Sequence, residues 1–422
     1  MERCTLKKRF SFVLSCILSL SISTQVFAAA KDMPSIYGKA AITMDADTGE
    51  IIYAKSADNK MYPASTTKLL TALLLAEHKD KGDNLTYTES AKIQPEYSLD
   101  KNMHPIAVGE TMTGADAMDG LLLYSGNDVA YMIADNVAGN AKSFENMMNE
   151  EIKKLGLKNT YFVTPNGLHD ANHYTTAYDL TVIARAAYKN PWVRESMAKK
   201  TSTIRTSAGT VLIIENRNKN LGIDGNVGGK TGYTSPAGRC LVAVYERGGR
   251  KLVGVIMNSV YDSQDSYVFQ DMKKVIDWSY DAKKTVIYPK GTALKTETIT
   301  YKPLGFFGPE KKIDVPLIVK EDVTIYENEV NKKDNEKIFK LNKLNPWSLD
   351  EDTKLGTLTL KQREASKDYS LYTNVSKGTL LKQNILLYTF ALISVIAVLA
   401  LIAVVIKLIS NKKRRKKRPK YY

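Results

Sequence analysis

Ser65-Thr66-Thr67-Lys68 places a hydroxyl and an amine three residues apart. On a helix that spacing puts both side chains on one face. Pro63 just ahead, and the run Leu69, Leu70, Ala72, Leu73, Leu74 and Leu75 behind, predict a helix over residues 65–78. The helix is apolar nearly all round and so belongs in the core. Its start supplies free N–H groups and positive potential. The apolar run behind Lys68 would desolvate the ammonium and lower its pKa. A neutral amine beside a serine hydroxyl is a base–nucleophile pair. Alone, the motif is weak. The same spacing recurs elsewhere, as at Ser196 and Lys199 and at Ser410 and Lys413. Ser65 also fits a first-turn serine with a snorkelling lysine.

Two further motifs add to it. Ser125-Gly126-Asn127 is the only Ser-x-Asn in the chain and lies between apolar Leu121-Leu122-Leu123 and a predicted helix. A hydroxyl and a carboxamide in a loop can relay a proton and hydrogen-bond an amide substrate. They also fit an ordinary loop ahead of a helix. Lys230-Thr231-Gly232 is the only Lys-Thr-Gly, preceded by Gly228-Gly229. Its glycine would let a substrate backbone approach closely, and Lys230 and Thr231 can hold a carboxylate. A turn between strands would use the same residues.

The elements that must position these residues follow from pattern. Residues 39–54 predict a hairpin, with Ile42 and Met44 on one arm, Ile51 and Ile52 on the other, and a turn-rich centre. Helices are predicted over 115–123, 128–137, 141–154 and 177–188. Strands are predicted at 203–206 and 211–214, then a stronger hairpin at 241–245 and 251–257, then a helix over 266–280. Strands at both ends with helices between predict an α/β (α+β) domain over residues 35–285, whose sheet joins both chain ends and is flanked by helices. From residue 286 to about 380 short strand patterns at 315–319, 323–326, 357–360 and 369–372, punctuated by Pro303, Gly305, Gly308 and Pro346, predict a small all-β domain. No titratable cluster there suggests chemistry.

The 422 residues carry a net charge of +15, with 44% hydrophobic and 25% charged residues, so global disorder is excluded. Such a charge would suit a nucleic-acid partner if it were spread over a folded surface. It is not, because residues 1–28 hold +3 and residues 407–422 hold +9, leaving only +3 between them. Residues 1–28 have a basic start, an apolar segment and a small-x-small end at Val26-Phe27-Ala28, the pattern of a secretory signal. Residues 385–406 are 22 positions without a charge, about 33 Å as a helix, enough to cross a bilayer. The basic residues 407–422 then belong on the cytoplasmic side, with the body of the protein outside. Of three cysteines, Cys4 and Cys16 leave with the signal and Cys240 remains alone, so no intramolecular disulfide is expected.

Ser-x-x-Lys, Ser-x-Asn and Lys-Thr-Gly in that order form the signature of penicillin-binding proteins and class A β-lactamases. The surrounding wording is closer still. Pro63-Ala64-Ser65-Thr66-Thr67-Lys68, Ser125-Gly126-Asn127-Asp128, Thr164-Pro165-Asn166-Gly167-Leu168 and Lys230-Thr231-Gly232-Tyr233-Thr234 resemble the low-molecular-mass penicillin-binding proteins that are D-alanyl-D-alanine carboxypeptidases, peptidase family S11. The resemblance implies that Ser65 attacks the bond between the terminal D-alanines of a cell-wall stem peptide, with Lys68 taking its proton. Ser125 would protonate the leaving D-alanine, and Asn127 would orient substrate and Lys68. Lys230 and Thr231 would bind the terminal carboxylate. Backbone N–H groups of Ser65 and Tyr233, beside Gly232, would hold the oxyanion. It further implies peptidoglycan as substrate, β-lactam antibiotics as acylating inhibitors, and neither metal nor cofactor. His78, His104, His169 and His173 show no ligand pairing, and His173 is expected to be structural.

The chain departs from the family in two places. Residues 262–271 lack the arginine that many relatives carry near the last helix, leaving Lys230 or Arg239 for that part of carboxylate binding. A full apolar span replaces the amphipathic helix of many relatives. Rival readings are a β-lactamase or transpeptidase of the same fold, or a non-catalytic wall-binding protein. Gly126 stands where class A β-lactamases have aspartate, and the three intact motifs disfavour a binding-only role.

Overall fold

The computed structural model describes residues 32–305 and 307–416, the last three without their side chains. The predicted signal at 1–28 and the end of the basic tail lie outside the described residues. At the centre is a five-stranded antiparallel sheet. Its strands are β1 (Ala40–Asp45), β2 (Ile51–Lys55), β3 (Asn226–Thr234), β4 (Gly238–Arg247) and β5 (Arg250–Ser259). Their order is β2-β1-β5-β4-β3, so the first hairpin meets the last and β3 is an edge.

Alternation along the strands gives the sheet two apolar faces. Ala40, Ile42 and Met44 of β1, with Val242 and Val244 of β4, join the larger core under helices α1 (Lys68–His78), α2 (Asn127–Ala138), α3 (Ala141–Lys154) and α4 (Ala177–Lys189). Ala41, Leu241, Ala243 and Tyr245 point the other way, onto helix α5 (Tyr267–Asp281). On that face Thr43 and Ser279 share a 2.6 Å hydrogen bond. Helix α1 is buried from Lys68 to Leu75, as its apolar sequence requires.

The strand pair Thr201–Arg205 and Val211–Glu215 does not join the central sheet but forms a two-stranded sheet of its own. Leu212 and Ile214 are buried while Val211 and Ile213 are exposed. One apolar face suits a flap lying on the body, whereas a central strand needs two.

Beyond residue 286 a second antiparallel sheet has strands β6 (Ala293–Tyr301), β7 (Lys311–Val319), β8 (Glu336–Leu341), β9 (Gly356–Lys361) and β10 (Ser366–Tyr372) in the order β6-β7-β10-β9-β8. Val315, Leu317, Leu358, Tyr369 and Leu371 form a core of its own. Asn328 and Asn331, at a helical turn between strands, donate to the Ile51 carbonyl of β2 at 3.0 and 2.8 Å. Arg363 reaches Asp58 at 2.6 Å. The two regions meet along a seam of these polar contacts, with Val330 and Tyr326 packing into the apolar clusters of the first region. Helix α6 (Ile385–Lys416) follows, and its segment Ile385–Lys413 is long and apolar enough to cross a membrane.

Candidate active site

Ser65 lies in a single 3-10 turn, Ala64–Thr67, that leads into α1. Ala64 ahead of it has φ +50°, a left-handed conformation that non-glycine residues rarely hold. Thr66 and Thr67 tie the turn by donating their hydroxyls to the carbonyls of Pro63 and Ala64 at 2.7 and 2.8 Å. One turn further, Lys68 is wholly buried. Its Nζ has three neighbours: Ser65 Oγ at 2.9 Å, Asn127 Oδ1 at 3.0 Å and the Asn166 carbonyl at 2.8 Å. Burial lowers its pKa to about 7, helped by the positive charge of Arg217 and opposed by Asp128. The surroundings suit a neutral amine. Two carbonyl oxygens accept its two N–H groups, and the serine hydroxyl can donate to its lone pair.

The second motif is held by an unusual helix end. The predicted helix over 115–123 begins as an α-helix at Gly114–Asp119 but widens into a π turn at Gly120–Tyr124. Such turns are frequent at functional sites. Ser125 closes it with φ +74°, and α2 starts two residues later at Asn127. Asn127 donates to the Glu96 carbonyl at 2.8 Å, which turns its Oδ1 toward Lys68. Asp128, next along, is buried and accepts from Tyr87 Oη and the Asp100 N–H, both at 3.0 Å. Burial pushes its carboxyl above the usual range.

Lys230-Thr231-Gly232 lies within the edge strand β3, not in a turn. At Gly232 an added Cβ would stand 3.1 Å from both the Ser65 and Thr66 nitrogens. Only glycine lets the strand run this close to the head of α1. Lys230 is buried and donates to Ser125 Oγ at 2.8 Å and to the Thr231 carbonyl at 2.9 Å. Burial, with Lys68 and Arg217 nearby, pushes its pKa well below the usual lysine value.

The three motifs, which span 168 positions of sequence from Ser65 to Gly232, thus converge on one cleft of about 580 Å³. Ser65, Ser125, Asn127, Thr231, Gly232 and Tyr233 line it, while the two lysines stand behind the serines. Arg239 also lines it, lying over the rings of Tyr233 and Tyr261 at 4.9 and 4.8 Å and paired with Asp265 at 2.5 Å. The charged lining is Arg217, Lys219 and Arg239 against Glu215 and Asp265, a slight positive excess that favours an anionic substrate group.

Sequence reasoning missed three contributors. Arg217 lines the cleft between the rings of Tyr97 (4.9 Å) and Tyr124 (4.7 Å). The Asn166 carbonyl completes the cage of Lys68. Gly167, at φ +77°, crosses the head of α1 so closely that a Cβ would fall 2.0 Å from the Ala64 carbonyl oxygen. The stretch 164–168 stood out only as matching wording, and a backbone carbonyl leaves no signature in residue type. His173 is buried, stacked on Phe162 at 4.7 Å, with Nδ1 accepting from the Val163 N–H at 3.0 Å and Nε2 2.9 Å from Thr67 Oγ1. Burial pushes its pKa down to about 3, so it is a neutral strut for the turn that carries Ser65.

The comparisons with known proteins agree with this geometry. Residues 26–260 match the family model for D-alanyl-D-alanine carboxypeptidase, peptidase family S11. The chain is 27% identical over 372 residues to D-alanyl-D-alanine carboxypeptidase DacF of Bacillus subtilis, covering 85% of this chain and 91% of that protein. It is 30% identical over 312 residues to D-alanyl-D-alanine carboxypeptidase DacD of Escherichia coli, covering 71% and 76%. The crystal structure of the Streptomyces K15 DD-transpeptidase superposes with a TM-score of 0.54 at 29% identity, over 60% of this chain and all of that one. By motif, geometry and family match together, the chain belongs to the D-alanyl-D-alanine carboxypeptidases of peptidase family S11.

Proposed function

We propose that Ser65 is the nucleophile with which this D-alanyl-D-alanine carboxypeptidase opens the bond between the two terminal D-alanines of a peptidoglycan stem peptide. The carrying observation is the neutral-amine cage of Lys68, 2.9 Å from Ser65 Oγ. Lys68 takes the hydroxyl proton as Oγ bonds to the carbonyl carbon. The resulting ammonium is then held by its two carbonyl neighbours. Ser125 Oγ accepts from Lys230, so its own O–H donates its proton to the departing amine while the Lys230 ammonium passes a proton to Ser125 Oγ in its place. The C–N bond breaks, D-alanine leaves, and the acyl group stays on Ser65. Water then adds to the ester, its proton going through Ser125 to Lys230, while the Lys68 ammonium returns its proton to Ser65 Oγ as the carboxylic product leaves. N–H groups of Ser65 and Tyr233 hold the oxyanion on the two sides of the Gly232 contact. Asn127 orients the substrate amide. Thr231 and Lys230 bind the terminal carboxylate, whose charge draws Lys230 back to its ammonium form. Arg239 adds to that site from the cleft wall.

Labelling with fluorescent penicillin tests the acylation. The wild type labels and Ser65→Ala does not; equal labelling of both would sink the mechanism. Release of D-alanine from a pentapeptide separates catalysis from binding. Consumption of penicillin that stops at one equivalent separates the enzyme from a β-lactamase. Transfer to an amine is the second reading, supported by the likeness to a DD-transpeptidase. Cross-linked product in place of tetrapeptide would favour it.

The same reading divides the chain into a signal at 1–28, a catalytic domain at 35–285, a β-rich domain at 286–380, a span at 385–406 and a cytoplasmic tail at 407–422. The catalytic domain then works outside the membrane, where β-lactams and cell wall reach it. Charge placement and the apolar run of α6 support this topology.

A further inference from the structure

The turn joining β6 to β7 is fastened to the start of α6. Tyr388 Oη, three residues into the helix, donates to the Pro303 carbonyl at 2.9 Å. Asn384, buried just ahead of the helix, donates to Tyr301 Oη at 2.7 Å and accepts from Lys311 Nζ at 2.7 Å. Trp347 closes the same corner, donating to the Lys302 carbonyl at 3.2 Å and packing edge-on against Tyr301. Beyond this polar clasp the turn carries two apolar side chains, one of them largely exposed. Leu304 is 36% exposed and Phe307 68% exposed, and the two are joined by a backbone bridge.

Rise along the helix locates the clasp. Tyr388 lies about 4.5 Å past Ile385, where the charge-free run begins, at 1.5 Å per residue. Its side chain leans toward the helix N-terminus, so the Pro303 carbonyl it reaches lies at or just outside the start of that run. Tyrosine and tryptophan prefer that level, the boundary between headgroups and acyl chains, and lysines beside them can reach lipid phosphates.

We propose that the β6–β7 turn is a second membrane contact, with Leu304 and Phe307 inserted at the acyl–headgroup boundary of the outer leaflet beside α6. The occupant of this apolar tip is a lipid surface, because Leu304 and Phe307 closely follow Pro303, which is bonded to the start of an exposed helix apolar enough to cross a membrane. Two points of attachment would stop the body from swivelling on a single helix and would set the height of the cleft over the bilayer. The proposal rests on α6 spanning the membrane.

The test uses the full chain in phosphatidylglycerol–phosphatidylethanolamine vesicles, with Cys4 and Cys16 replaced by serine and buried Cys240 left in place. An environment-sensitive fluorophore is placed in turn at Phe307→Cys, Val398→Cys and Ile93→Cys, and penicillin labelling checks that each variant folds. Lipids spin-labelled near the headgroup should quench the label at 307, lipids spin-labelled deep in the chain should quench that at 398, and neither should quench that at 93, an exposed position of the catalytic region outside the cleft. Quenching at 398 without quenching at 307 overturns the proposal and leaves the span standing. No quenching at 398 overturns both. A shift at 307 that appears without lipid and grows with protein concentration makes the tip a contact between two copies, which also overturns it.

Discussion

Ser65 and Lys68 stand at the head of α1, and Ser196 and Lys199 stand at the end of the short helix Pro191–Met197, with the same spacing. Their surroundings are opposite. Asp119 takes Ser196 Oγ on one oxygen at 2.6 Å, and Lys199 Nζ and Ser202 Oγ on the other at 2.8 and 2.6 Å. A carboxylate beside an amine favours the ammonium, and a hydroxyl already donating to a carboxylate has no base to activate it. Lys68 instead meets two amide oxygens and a hydroxyl, in full burial. Spacing brings serine and lysine together in both places. What separates a base–nucleophile pair from a structural ion pair is whether the third neighbour carries a charge.

The largest effect that bears on this contrast is at the nucleophile. Ser65→Ala should lower D-alanine release by on the order of 10⁴-fold or more, since the base then has nothing to activate. Steady-state assay on a pentapeptide reads it. Next comes the conversion of one environment into the other. Asn127→Asp puts a carboxylate against Lys68, as Asp119 is put against Lys199. It should hold Lys68 protonated, lower acylation by roughly 10²-fold or more, and move the rising limb of the pH profile upward. In the wild type that limb should lie near the pKa of about 7 given to Lys68, with kcat/KM falling below it as the amine takes up a proton and levelling above it. A profile flat from pH 5 to 9 would break the assignment of Lys68 as the base.

Gly167→Ala should act between these extremes. The methyl group would displace the segment that carries the Asn166 carbonyl, at a cost of about 1–3 kcal/mol for a left-handed, overpacked position. Thermal unfolding reads the stability, and slower penicillin acylation reads the loosened cage. The smallest effect on activity is expected at the structural pair. Ser196→Ala should leave acylation unchanged while costing about 1–3 kcal/mol of stability, because buried Asp119 loses a donor. Loss of acylation in Ser196→Ala would show that the two pairs are not independent.

Much of the site was legible in order and type. Two of the three motifs are unique in the chain, and all three arrive in the order that their chemistry uses. Helix α1 was legible because an apolar run from Leu69 to Leu75 admits only a buried helix. The flap at 201–215 was read as strands, yet its separation from the central sheet depends on which face Val211 and Ile213 present, and a short strand pattern does not say what lies across it. The π turn before Ser125 was not legible either, since Leu121-Leu122-Leu123 suits a regular helix equally well. Arg217 stood in an unremarked stretch, and its place between two tyrosines depends on residues more than ninety positions away in sequence.

By itself, then, the sequence determined which residue types are available: one apolar helix with a serine and lysine at its head, one Ser-Gly-Asn, one Lys-Thr-Gly, and one charge-free run of 22 residues flanked by cations. These are local properties, set by side-chain chemistry and helix period. Tertiary structure alone decided which Ser-x-x-Lys is caged without a carboxylate, because the oxygens around Lys68 come from positions 127 and 166 and those around Lys199 from position 119. Desolvation and hydrogen bonding act over a few ångströms of space, so the pKa of an amine is fixed by what the fold brings to it.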